Sequence, residues 1–232
     1  MLDIGAGTGP CVEVIARALP QAQIIAVEPS PAMRAALTSR LLAQPDLQQR
    51  VTVQPRMLQQ VTLPPQLAAV VCCGVIGYFD SATRQQLWHD WARRLAPGGV
   101  VIADVMMIDR PQPVPRMQVA SVAIGEHEYQ IWIQGEPADE ASDLEEAFFA
   151  SDAASESVIS SQRFLFRPLH GRMARGMVGT RCLVSYCSSF SFSRETQASV
   201  VHAAVDRHTQ PTFTHTNKTS GGSEGSLSEL RC

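Results

Sequence analysis

Three glycines and two carboxylates in the first 28 residues have the types and spacing that ligand chemistry needs. Met1-Leu-Asp3-Ile-Gly5-Ala-Gly7-Thr-Gly9-Pro10 reads as a short strand that runs into a turn and opens a helix. Glycine tolerates positive φ and lets a ligand approach the main chain closely. A turn on Gly5, Gly7 and Gly9 is expected to aim its N–H groups at the ligand. The helix behind it adds the partial positive charge of its N-terminus. Such a turn suits an anion, either a pyrophosphate or a carboxylate. Asp3 stands before the glycines, where it can order the turn or accept a hydrogen bond from a ligand ammonium.

Ile24-Ile25-Ala26-Val27 is an apolar run of strand type that ends in Glu28. A carboxylate at the end of a second strand, roughly 20 residues past the glycines, can accept two ribose hydroxyls at once. Pro29-Ser30-Pro31-Ala32-Met33 follows. Ser30 is placed to cap a helix, with Pro31 at its first position.

Apolar-Asp-x-Gly-x-Gly-x-Gly, followed at this distance by acidic-x-Ser-x-x-Met, resembles class I S-adenosylmethionine-dependent methyltransferases of the small-molecule type. Gly74-Val-Ile-Gly-Tyr78-Phe79 and Leu95-Ala-Pro-Gly-Gly99 resemble later motifs of the same family. The resemblance covers residues 1 to about 105. It implies S-adenosyl-L-methionine as cofactor. Asp3, Gly5, Gly7 and Gly9 would lie at the methionine moiety, Glu28 on the ribose, and Pro29 and Met33 at the adenine. Gly74 would have its backbone toward the cofactor. Asp104, at the end of the fifth strand, is the acid that could act as base or substrate anchor, although it suits a loop cap equally well. Two departures stand out. The chain opens almost on the first motif, where the family usually has a helix or two. Gln54-Pro-Arg56-Met57-Leu58 also lacks the acid that many members place after the third strand for the adenine amino group. A nicotinamide oxidoreductase is the weaker alternative, since Pro10 stands where its fingerprint wants Gly or Ala, and no Tyr-x-x-x-Lys pair is recognisable.

These residues need a frame. Val12, Ile15, Ala16 and Leu19 share one helical face, and Met33, Ala36, Leu37 and Leu41 mark a second helix. Val51-Thr-Val53 reads as a third strand, and Leu67 to Val75 as a buried parallel strand. Ser81 is the expected cap of a helix with Trp88, Trp91, Ala92 and Leu95 inward, and Val100 to Val105 the fifth strand. The fold expected is α/β, a Rossmann-like parallel sheet with helices on both faces, incomplete at its edges. Val119 to Ile124 and Glu128 to Ile133 flank Gly125-Glu-His127-Glu and predict a β-hairpin over 119–134. His127 at its tip is a candidate for touching substrate, or simply solvated.

The domain reading is a cofactor-binding domain over 1–136 with the hairpin inserted, then a Ser-rich, poorly ordered tail over 137–232. Within that tail Phe164-Leu-Phe166 and Cys182-Leu-Val-Ser-Tyr186 suit short strands. A front half missing its first helix and last strands would be marginally stable and little active. A non-catalytic remnant that binds only cofactor or a partner therefore stands beside the enzyme reading.

Composition narrows the rest. The 232 residues carry 19 basic and 22 acidic side chains, net charge −3, with no basic block to suggest nucleic acid. No apolar run reaches the ~20 residues of a membrane span, and no signal peptide pattern opens the chain. The six cysteines form no Cys-x-x-Cys, so no metal site is expected. Asn217-Lys-Thr219 matches a glycosylation sequon that matters only on secretion. Cytoplasm is the expected compartment, and the expected partner is a small-molecule substrate.

Overall fold

A computed structural model describes residues 1–106, 111–139, 141–151, 156–166, 181–187 and 227–231. Five strands, β1 (Leu2–Ile4), β2 (Ile24–Val27), β3 (Val51–Gln54), β4 (Leu67–Cys72) and β5 (Leu95–Met106), form a parallel sheet in the order β3-β2-β1-β4-β5. Helices α1 (Pro10–Ala18), α2 (Pro31–Leu42), α3 (Pro45–Arg50) and α4 (Ser81–Arg94) make the crossovers. The first-strand glycines thus sit at the centre of the sheet, where strand order reverses between β1 and β4. That is the place where open α/β sheets bind ligands.

The strands are apolar on both faces because helices cover both. Ala26, Ala69, Val71 and Ile102 face Val12, Ile15 and Ala16 of α1 and Leu37 and Leu41 of α2. Leu2, Ile4, Val70, Cys72 and Val101 face the other way, against Trp88 and Trp91 of α4, Leu58 and Ile76. Trp91 is fully buried and meets Trp88 edge to face at 4.8 Å. The helical faces expected from periodicity are therefore the core faces, except that Met33 stays 40% exposed and Ala36 is exposed too. Ser30 caps α2 as expected, its hydroxyl accepting the Met33 N–H. The cap of α4 is Asp80, one residue before the Ser81 expected, because its carboxylate accepts the Thr83 N–H at 2.7 Å. A charged acceptor outcompetes a hydroxyl there. Helix α3 carried no periodic signal and was not expected.

Beyond β5, strand β6 (Val114–Ile124) and strand β7 (His127–Ala138) form the expected hairpin, longer at its open end than 119–134. Two more antiparallel strands, β8 (Ala141–Ser151) and β9 (Glu156–Phe166), extend it to a four-stranded sheet. Residues 141–166 were expected within the poorly ordered tail, apart from a short strand at 164–166. Their composition does not announce strands; pairing with β7 defines them. Gln134 and Ser161 both donate to Glu145, and Arg163 pairs with Asp143 at 2.8 Å. Strand β9 packs against the 3-10 turn Ile76–Tyr78 that follows β4. Strand β10 (Arg181–Cys187) adds to β5 in parallel, and β11 (Leu227–Arg231) pairs antiparallel with β10. The segment at Cys182–Tyr186 is thus a strand as expected. The Ser-rich stretch at 188–226 lies outside the described residues.

Candidate functional site

The turn after β1 has Gly5, Gly7 and Gly9 at φ 67°, 57° and 95°, a run no other residue type adopts without strain. Two of the glycines are also enclosed. A Cβ on Gly5 would lie 2.2 Å from Val75 Cγ2, and one on Gly9 would lie 2.6 Å from Leu37 Cδ1. Gly7 differs, since the nearest atom to its Cβ position is 3.9 Å away. Its Cα faces open space, the geometry expected where a ligand meets the backbone.

The expectation that the turn aims its N–H groups outward is corrected. Gly5 and Ala6 donate to the Val27 carbonyl, and Gly9 donates to the Ala6 carbonyl. Gly7 donates at 2.8 Å to the carboxylate of Glu28. The reason is close packing: the turn folds onto the end of β2, whose acceptors are nearer than any solvent. The N–H groups of Thr8 and Cys11 have no acceptor among the described residues and remain for a ligand carboxylate.

Glu28 is 6% exposed and locked between backbone donors. One oxygen takes the Gly7 N–H and the other the Ser30 N–H, each at 2.8 Å. A carboxylate has about four lone-pair sites, so each oxygen keeps one for a further donor. Arg34 steadies the segment by donating to the carbonyls of Glu28 and Pro29 at 2.9 and 2.7 Å. Met33, one helical position before Arg34, leaves its side chain partly in solvent beside this segment.

Asp3 is 1% exposed on β1, and its Oδ2 has no hydrogen-bond partner among the described residues. Burial, reinforced by the nearby charge of Glu28, raises its carboxyl to about 7. A buried, orphaned acceptor beneath a glycine turn is what an ammonium group would satisfy. Asp3, the turn and Glu28 are thus brought together, and their donor and acceptor set fits an amino-acid nucleoside.

The other expected site residues divide. Gly74, at φ 70°, lies two residues past the end of β4, and Val75 beside it packs on Gly5. Asp104 lies on β5 in register with Ser185, one residue past the Cys72–Ala103 pair, at the carboxyl end of the sheet. Its side chain lies outside the described residues. His127 stands exposed at the hairpin tip, edge-on to Tyr129 at 6.4 Å, and none of its described contacts reaches the glycine turn. Among the described residues no group of three or more His, Cys, Asp or Glu is arranged to hold a metal.

Comparison with known proteins bears on the family. Residues 2–101 match a family model described as a methyltransferase domain. This match and the fold together support a class I S-adenosylmethionine-dependent methyltransferase domain over residues 2–101. The same findings support S-adenosyl-L-methionine as its cofactor and methyl transfer as its general chemistry. No curated protein matches this methyltransferase in sequence. Solved structures with the same fold include a methyltransferase from Clostridium acetobutylicum (16% identity, 76% of this chain and 69% of that one, TM-score 0.56). CalS10, an amino pentose methyltransferase from Micromonospora echinaspora, shares 20% identity over 79% of this chain and 75% of its own, with a TM-score of 0.58. The sugar N-methyltransferase KedS8 from Streptoalloteichus shares 23% over 74% of this chain and 66% of its own, with a TM-score of 0.54. No described helix of the methyltransferase is long and apolar enough to cross a membrane.

Proposed function

We propose that the chain transfers the methyl group of S-adenosyl-L-methionine to a small-molecule acceptor. The observation that carries the cofactor site is the convergence of the Gly7–Glu28 bond, the open face of Gly7 and the orphaned Asp3 Oδ2. In this reading Asp3 accepts the cofactor ammonium. The N–H groups of Thr8 and Cys11 donate to its carboxylate, and Glu28 accepts the ribose hydroxyls. Pro29 and Met33 line the adenine, and Gly74 closes the site from β4. A dinucleotide is the weaker reading because Pro10 stands where its fingerprint wants Gly or Ala.

When bound, the cofactor supplies the electrophilic methyl and the sulfur leaving group. The protein's task is then alignment and exclusion of water, and alignment alone is worth roughly 7–11 kcal/mol in favourable cases. The sheet β6–β9, which packs over the turn after β4, is the element that can cover the acceptor. A base is needed only for an acceptor that arrives protonated. Asp104 holds the backbone position for that role at the carboxyl end of β5. His127 is set aside because its described contacts lie at the hairpin tip. The sugar acceptors named for CalS10 and KedS8 make sugars, amino sugars first, the class to screen.

Calorimetric titration with S-adenosylhomocysteine and with NAD tests the reading. Binding of the first alone supports it. Binding of NAD alone, or of neither, overturns it. Binding of S-adenosylhomocysteine without turnover of any acceptor would leave the second reading, a cofactor-binding remnant.

A further inference from the structure

The glycine turn is held from outside the motif as well as from within it. Arg40, on the inner side of α2, donates from Nε to the Thr8 carbonyl at 2.9 Å. Its Nη1 lies 3.1 Å from Glu13 Oε1 on α1. Glu13 is 6% exposed and also accepts from Gln44 and from Arg17. The aliphatic stem of Arg40 fills the space beside Gly9, where an added Cβ would meet its Cδ at 3.3 Å. One guanidinium therefore bridges the turn and both helices that flank it.

We infer that Arg40 is a positioning residue that sets the glycine turn in its cofactor-binding form. The argument is the planarity of the peptide unit. The Thr8 carbonyl and the Gly9 N–H belong to one plane and point opposite ways. With the carbonyl held by Arg40, the N–H is directed at the Ala6 carbonyl, where it bonds at 2.9 Å. Fixing that plane anchors the carbonyl side of Thr8, whose own N–H, on the preceding peptide unit, is offered to ligand in the cofactor reading. Glycine at positions 7 and 9 leaves both flanking units free to rotate, so the turn needs an external hold. Arg40 is suited to it because its rigid planar fork reaches the Thr8 carbonyl and Glu13 from two separate nitrogens, where a lysine presents one flexible ammonium. The inference rests on the cofactor reading above for its ligand, and on geometry alone for the state of the turn.

The test compares Arg40→Met/Glu13→Gln with Glu13→Gln, so that no buried carboxylate is left uncompensated, and adds Arg40→Lys. Hydrogen exchange of the Gly9 amide in the ligand-free protein is the first readout. The double variant should lose about ten-fold in protection there, with Val71 of β4 unchanged, the loss of roughly one hydrogen bond. Titration with S-adenosylhomocysteine is the second. Binding by the double variant should weaken about ten-fold relative to Glu13→Gln, the same loss expressed as affinity, with Arg40→Lys in between. Unaltered Gly9 protection together with unaltered affinity in the double variant overturns the inference. Failure of the wild-type chain to bind S-adenosylhomocysteine overturns the cofactor reading instead, while the exchange result still decides the role of Arg40 in the turn.

Discussion

The carboxylate of Glu28 reaches back over 21 residues to accept the Gly7 N–H at 2.8 Å, joining the end of β2 to the crest of the glycine turn. One side chain thus builds the turn and faces its ligand. Replacement of Glu28 has two consequences that separate by choice of variant. Glu28→Gln keeps one oxygen for Gly7 or Ser30 but loses the charge and an acceptor. S-adenosylhomocysteine binding should weaken by about ten-fold or more, since a hydrogen bond to a charged group contributes ~1.5–3 kcal/mol. Glu28→Ala should weaken it further and also lower the melting temperature, because two backbone donors lose their acceptor. Affinity unchanged in a well-folded Glu28→Ala protein would remove Glu28 from the site.

Gly5 and Gly7 share positive φ but not surroundings, and alanine at each should fail differently. Either substitution forces a left-handed alanine, costing ~1–2 kcal/mol. Gly5→Ala adds an overlap with Val75 Cγ2, 2.2 Å from the new Cβ. It should melt well below Gly7→Ala. Gly7→Ala has room for its methyl within the protein. It should fold, yet lose S-adenosylhomocysteine binding, because the methyl occupies the space the ligand approaches through. Equal melting temperatures for the two variants, or normal binding by Gly7→Ala, would contradict this account.

The fold of residues 1–106, the short α3 apart, was legible because its strands and longer helices announce themselves by local pattern. Leu2, Ile4, Val70 and Val101 on one side of the sheet, and Ala26, Val71 and Ile102 on the other, follow from an apolar run covered twice. The glycines and Glu28 were legible from type and spacing. What sequence could not supply was the use of each donor. That Gly5 and Ala6 spend their N–H groups on Val27 follows from how the turn closes on β2, a tertiary fact. Arg40 was missed for the same reason, since it lies 32 residues from the carbonyl that it holds and no motif contains it. Strands β8 and β9 were missed because Asp143, Glu145 and Ser161 give a polar pattern that only cross-strand partners turn into a sheet.

Asp3 gives the free protein a pH dependence of definite sign. Its carboxyl is raised from 3.8 to about 7, first by burial and then by the charge of Glu28. Between these values the native state keeps a proton that the unfolded chain has released. Stability contributed by this group is therefore greatest at acid pH and falls as pH rises from about 4 to about 7. At ~1.4 kcal/mol per unit, the full effect is of the order of 4 kcal/mol. Asp3→Asn cannot ionise, so the difference in urea stability between wild type and Asp3→Asn should shift against wild type over that window and level off above it. Ligand should reverse the trend, since an ammonium at Oδ2 favours the ionised carboxyl. S-adenosylhomocysteine affinity of wild type should rise with pH toward about 7, a dependence that Asp3→Asn lacks. A wild-type stability that climbs through this window relative to Asp3→Asn would show that Asp3 is ionised and paired in the free protein, and its assignment to the cofactor ammonium would fall with it.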